Sequence, residues 1–206
     1  MKKIMFNDKY GLTQAVLEGR KTQTRRIIPK DFFSLTWDKR DDTLVYENSM
    51  GDFIDIRNSK YALCKAGEIV AVAQSYRDCG GVNEEGIPMW EIISSKVGGT
   101  NAGWSNKMFV RAELMPHQIR ITNVRAERLQ DISDEDCLKE GIIKGKVGSE
   151  DTHFMDAYYI PTLKKDPFCT PQGAYSYLID KISGKGTWDS NPYVFVYDFE
   201  LVKKWK

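Results

Sequence analysis

The strongest alternation of apolar and polar positions lies near the end of the chain. In "YVFVYDFELV", Tyr193, Phe195, Tyr197 and Phe199 alternate with Val194, Val196, Asp198 and Glu200, which predicts a long β-strand. "QIRITNVRAERL" sets Ile119 and Ile121 against Gln118, Arg120 and Thr122, then changes phase to Val124 and Ala126. A strand with a bulge near Asn123 is expected. "AGEIVAVAQSY" leads from a glycine turn into a compact apolar run, the pattern of a buried strand. Three stretches change to helical spacing. In "NDKYGLTQAVLEG", Leu12, Ala15 and Val16 share a face, Asn7 or Asp8 can cap the start, and Gly19 suits a left-handed end. "SDEDCLKEG" has Ser133 as an N-cap, Asp136 three residues on and Gly141 as a stop. "AYSYLIDKISG" places Ala174, Tyr177, Leu178 and Ile182 on a helical repeat, with Gly184 past its end.

The segments between these elements are less regular. "TLVYEN" and "FIDIRN" read as a hairpin around the turn-forming "NSMGD". Glycine-rich residues 78–106 read as mostly loop, with Trp90 and Trp104 either covering the core or lining a base-stacking surface. Residues 144–172 hold Pro161, Pro167 and Pro171 without a clear period and read as a long excursion. The element order predicts one α+β domain over residues 1–206, built on a β-barrel.

Composition narrows the class of partner. Thirty Lys and Arg against 29 Asp and Glu leave a net charge of +1, so nucleic-acid binding would have to come from a local patch. At 41% apolar and 12% aromatic residues, the chain has the profile of a folded domain. It contains no run of membrane-spanning length, and "MKKIMFNDKY" lacks a signal-peptide apolar stretch, so a cytoplasmic, membrane-free protein is expected. Cys64, Cys79, Cys137 and Cys169 form no CxxC pair, and free thiols are expected. His153, between Asp151 and Asp156, fits a polar loop better than a metal site. Neither a metal nor an organic cofactor is expected.

The concentration of Arg20, Lys21, Arg25 and Arg26 in "LEGRKTQTRR" is the main chemical signal. It follows a helix C-terminus, whose partial negative charge gives an ordinary reason for Arg20 and Lys21. Lys21, Arg25 and Arg26 could equally coat a solvated strand edge, with Thr24 an ordinary β-former. The sharper reading is an anion or nucleic-acid site, or a small active site in which Lys21 works beside Thr24. Glu140 is a second anomaly, because a carboxylate in the last turn of a helix sits beside the negative end of its dipole.

"GRKTQTRR", "AGEIVAVAQSY", "ITNVRAERLQDISDEDCLKEGI" and "WDSNPYVFVYDFELV" together resemble the ASCH family, whose small β-barrel is related to the PUA RNA-binding domain. The similarity is greatest to larger bacterial and phage-type members. The four pieces span most of the chain outside 31–62, 78–106 and 144–172, which have no counterpart in the smallest members and read as insertions. The resemblance implies a PUA-like barrel with flanking short helices and long loop insertions. One branch of the family hydrolyses the amide of N4-acetylcytidine with a Lys and a Thr of a G-x-K-x-x-T motif and a Glu after the middle strand. By position these roles fall on Lys21, Thr24 and Glu140. Relatives often read Glu-Thr-Trp where this chain has Gln74-Ser75-Tyr76, which removes a carboxylate from the expected pocket wall.

On this reading Thr24 attacks, Lys21 takes its proton, and Glu140 either orients Lys21 or carries a proton to the leaving amine. Burial and the neighbouring cations Arg20, Arg25 and Arg26 would favour a neutral Lys21. Arg20, Arg25, Arg26, Gln74 and Tyr76 are the candidate substrate-binding residues, for RNA or a modified nucleoside or nucleotide. In a binding module, Tyr76, Trp104 or Trp188 would stack bases beside phosphate-binding arginines. A ribonuclease is a further possibility within the family. The alternative class is a non-catalytic phage or mobile-element accessory protein acting through protein contacts.

Overall fold

The two longest alternating segments pair at the centre of the main sheet. β7 (His117–Arg128) and β10 (Tyr193–Lys203) run antiparallel along their whole lengths. The computed structural model that shows this describes residues 1–29, 35–38, 43–80, 82–83, 85–98, 101–150, 153–163 and 167–203. Asn123 pairs with Asp198 but Ile121 pairs with Phe199, so Thr122 is the extra residue of a bulge at the predicted phase change. β1 (Lys3–Ile4), β2 (Gln23–Ile27) and β6 (Ile69–Val72) complete a five-stranded sheet of order β1-β6-β7-β10-β2. β1 runs parallel to β6, and the other pairs are antiparallel.

The chain is therefore mixed α and β, but the expected closed barrel is not seen among the described residues. β1 and β2 remain sheet edges. Two residues of β1 cannot supply a ladder to β2. The edges do approach each other, and the Arg26 Nη2 of β2 donates to the Met5 carbonyl just past β1 at 2.7 Å.

Helices cover this sheet. α1 (Leu12–Leu17) buries Leu12, Ala15 and Val16 on the predicted face. Its N-cap is Gly11, without a side-chain cap, rather than Asn7 or Asp8. Asp8 instead accepts from the Thr13 hydroxyl and pairs with Lys107. Gly19 has φ 74°, the left-handed conformation expected of a helix-ending glycine. α3 (Asp134–Lys139) starts at Ser133, whose hydroxyl accepts from the Asp136 amide at 3.1 Å. α4 (Pro171–Ser183) starts at Thr170, which accepts from the Gly173 amide, and packs Ala174, Tyr175, Leu178 and Ile179 into the main core.

The centre of β10 is buried on both faces at Val194, Phe195, Val196 and Tyr197. Each such side chain contributes roughly 1.5–3 kcal/mol by leaving water. Tyr197 keeps its hydroxyl satisfied by accepting from the Leu63 amide at 2.8 Å.

The insertions hold more order than their sequences suggest. β3 (Leu35–Asp38), β4 (Thr43–Glu47) and β5 (Phe53–Asp55) make a separate antiparallel sheet that contains the predicted hairpin. α2 (Met89–Val97) lies inside the stretch read as loop, with Trp90 largely exposed. It packs Ile93 into a second core with Ala71, Ala73, Tyr76 and Met115, where Trp104 adds partial cover. β8 (Ile143–Val147) and β9 (Met155–Tyr159) form a hairpin where an irregular excursion was expected. Asp151, one of the carboxylates near His153, lies outside the described residues. Among the described residues no helix is long and apolar enough to cross a membrane.

Candidate active site

The chain leaves α1 through Gly19 and returns at once to the sheet. The Arg20 and Lys21 amides both donate to the Ala15 carbonyl at 2.9 Å. That tight reversal turns the Lys21 side chain inward, where it is only 2% exposed. The Thr22 amide then donates to the Lys139 carbonyl, tying the start of β2 to the end of α3. Gly141, at φ 106°, lets the chain leave α3 beside α1; a Cβ there would lie 3.3 Å from Leu12 Cδ2. These two local features bring residues 21 and 140 together.

Lys21 Nζ donates to Glu140 Oε2 at 2.5 Å and to the Glu140 backbone carbonyl at 2.8 Å. The ammonium thus caps the C-terminus of α3 and neutralises the carboxylate placed against the helix dipole, which accounts for the anomaly in the sequence. The other Glu140 oxygen accepts from Arg25 Nη1 at 3.2 Å. Both acid and amine are buried, with Glu140 at 5% exposure.

Burial pushes the Lys21 amine below the ordinary lysine value. Glu140 opposes that shift, and the Arg26 and Arg25 guanidiniums add to it. A lower value raises the neutral fraction, the form able to accept a proton.

Thr24 lies within β2, three residues beyond Lys21 in the chain, and pairs with Tyr197 of β10. Its side chain lines the same cavity as Lys21 and Glu140, and its hydroxyl has no hydrogen-bond partner among the described residues. This cavity of about 660 Å³ lies where Met5 and Phe6, following β1, face β2. α4 supplies an apolar wall through Tyr175, Leu178, Ile179 and Ile182. Such a volume is within the range of small-molecule sites.

The predicted substrate-binding residues separate into three groups. Arg26 reaches the cavity, and its Nε is buried without a partner among the described residues. Burial pushes the Arg26 guanidinium down, against the pull of Glu140. Arg25 contacts the cavity too, but its guanidinium is consumed by protein: Glu127 Oε1 at 2.6 and 3.0 Å, Asp136 Oδ2 at 3.1 Å, Glu140, and the Gln23 amide oxygen. Burial would lower its pKa, but Glu140, Tyr175 and Glu127 outweigh that and raise it.

Arg20, Gln74 and Tyr76 lie away from the cleft. Arg20 pairs with Glu18 in water. Gln74 borders a different depression, of about 230 Å³, with Ser75 and Asp78. Tyr76 is fully buried in the second core and accepts from the Arg111 amide through its hydroxyl, so neither ring face is open to a base. A strand-to-core transition after Val72 explains these last two placements. Sequence reasoning missed Asp136, Glu127 and Arg125, which complete the ionic network, and the apolar wall of α4. The alternating charges of "VRAER" on β7 carried the first signal, since Arg125 and Glu127 share one face of a strand.

Burial also bears on the thiols. It pushes Cys64 up to about 11, and Cys79 and Cys137 up to about 12, which keeps all three protonated and unreactive near neutrality. Compared with known protein families, curated proteins and solved structures, the chain gives no match.

Proposed function

We propose that this chain is an ASCH-type, PUA-like protein that takes RNA or a modified nucleoside into the cleft between its sheet edges and hydrolyses an N4-acyl amide of cytidine there. One observation carries the reading: a buried amine held on a buried carboxylate lines the same cavity as an unpartnered Thr24 hydroxyl. The near meeting of β1 and β2 at Arg26 and Met5 supports the barrel-like ancestry, with the cleft as the unclosed seam.

The chemistry follows from the charges. A neutral Lys21 accepts the Thr24 proton as the hydroxyl oxygen bonds to the acyl carbon. The ammonium that forms is stabilised by the Glu140 carboxylate already in contact with it, the role an acid plays behind a catalytic base. Arg26, a cavity-lining cation with an unused donor, offsets the developing oxyanion. Collapse breaks the C–N4 bond, and the Lys21 proton passes to the leaving nitrogen, directly or through Glu140. Water, deprotonated by the same amine, then releases the acyl group from Thr24 as a carboxylic acid.

The test is release of cytidine from a panel of N4-acylated cytidines. Wild-type protein should turn over at least one of them, and Lys21→Met should lose that activity while keeping its circular dichroism spectrum. Wild-type inactivity across the panel would overturn the hydrolase reading. A second reading has its own support. Arg25, Arg125, Glu127, Asp136 and Asp198 form a continuous ionic network that anchors α3 to the sheet, as a non-catalytic binding module would also need. That module would bind the nucleoside panel without releasing cytidine.

A further inference from the structure

α4 separates the cleft from a second hollow. Its other side, at Gly173, Ser176, Tyr177 and Asp180, meets Phe168 and Trp188 around a space of about 460 Å³. The walls are aromatic. The Phe168 and Tyr177 rings are 5.6 Å apart and inclined at 50°, and Trp188 stands edge-on to Tyr175 at 6.3 Å. All three wall residues are half-buried and line the hollow.

Trp188 is held from behind. Its amide donates to Asp180 Oδ1 at 2.9 Å, and its carbonyl accepts from Gln130 Nε2 at 2.9 Å. The Gly186 amide donates to the other Asp180 oxygen at 3.0 Å. Those backbone bonds draw the Asp180 charge into its own loop and lower its pKa. Lys181 and Lys185 line the opening, with Lys181 Nζ 5.1 Å from the Tyr177 ring centre. Asp189 is the other carboxylate at the rim.

Aromatic walls with lysines at the mouth suit one kind of ligand in particular: a planar base attached to a phosphate. We propose that this hollow is a base slot for a neighbouring nucleotide of a single-stranded nucleic acid whose modified base enters the cleft on the other side of α4. This rests on the nucleoside-binding reading of that cleft. A helix with its side chains is about 10–12 Å across, a span that a few nucleotides cover. The crossing point is the low ridge Ser183-Gly184-Lys185-Gly186, where Ser183 borders the cleft and Lys185 borders the slot. The slot then favours a modified residue within a strand over the free nucleoside, which the cleft alone still accepts.

The experiment uses the full chain and two measurements. Fluorescein-labelled RNA and DNA hexanucleotides are titrated by anisotropy at about 50 and about 200 mM salt. Hydrolysis of free N4-acetylcytidine is followed in parallel. Trp188→Ala and the surface double variant Lys181→Glu/Lys185→Glu should each weaken hexanucleotide binding at least about tenfold. Both should leave kcat/KM for the free nucleoside unchanged. Preference for RNA over DNA would identify the strand, and equal binding would keep the slot with a sugar-blind strand. Absence of hexanucleotide binding, or binding that neither variant weakens, overturns the slot. Wild-type silence on the free nucleoside with slot-dependent hexanucleotide binding would sink the hydrolase reading and leave the slot standing. The double variant keeps the test valid should Trp188→Ala fail to fold.

Discussion

Arg25 offers the sharpest separation between a ligand-facing cation and an architectural one. Its guanidinium is 1% exposed and bonds to three carboxylates and one amide. Arg25→Met removes all of these at once. Breaking a buried ion pair from one side costs about 3–5 kcal/mol. The lower end applies here, because no carboxylate is left alone: Glu140 keeps Lys21, Asp136 keeps Arg125 and Lys139, and Glu127 keeps Arg125. The expected loss is therefore about 3 kcal/mol, or about 1.5 M in the urea midpoint for a slope near 2 kcal/mol/M. Arg25→Lys should recover only part of it, since one ammonium cannot span the positions a planar fork reaches. Urea unfolding followed by tryptophan fluorescence measures both. A loss below about 1 kcal/mol, accompanied by weakened nucleoside binding, would refute the architectural role.

Three further outcomes follow from the same site. Glu140 raises the Lys21 pKa, so Glu140→Gln should lower kcat and move the rise of kcat/KM with pH to lower pH; an unmoved or higher midpoint would contradict the pairing. Asp136 is desolvated, but its bonds from Lys139 and Arg25 and the nearby Arg125 hold its pKa below the ordinary 3.8. Its stabilising contribution is complete above 3.8 and lost as pH falls through the lowered value, so Asp136→Asn should flatten the acid limb of stability measured by urea melts at stepped pH. Thr24→Val, which keeps the shape but removes the hydroxyl, should abolish cytidine release while changing the urea midpoint little, because that hydroxyl bonds to nothing in the described protein.

Local signals in the sequence carried much of the fold. The phase change in "ITNVRA" located the bulge to within one residue, because a period of two cannot shift faces without an extra residue. Ser133 and Gly19 were readable because caps depend on local backbone needs. α2 was not readable, since glycines on either side of Met89–Val97 masked a short helix that buries only Met89 and Ile93 and half-buries Val97. Nor was barrel closure decidable, because it depends on whether distant edges meet. In the site, Lys21, Thr24 and Glu140 were singled out through the family resemblance, and all three line one cavity. The fate of Arg25 and Tyr76 could not be read from the sequence: whether a cation or a ring faces a ligand or a partner depends on contacts about 100 and about 35 residues away along the chain.

The central claim is that Thr24 attacks an acyl group with Lys21 as its base, and intact-protein mass spectrometry after rapid acid quenching of wild-type protein with N4-acetylcytidine tests it most directly. The account predicts a species heavier by one acetyl group, mapping to Thr24 and missing from Thr24→Val and Lys21→Met. Cytidine release with no acylated protein, or with equal activity in Thr24→Val, would contradict it.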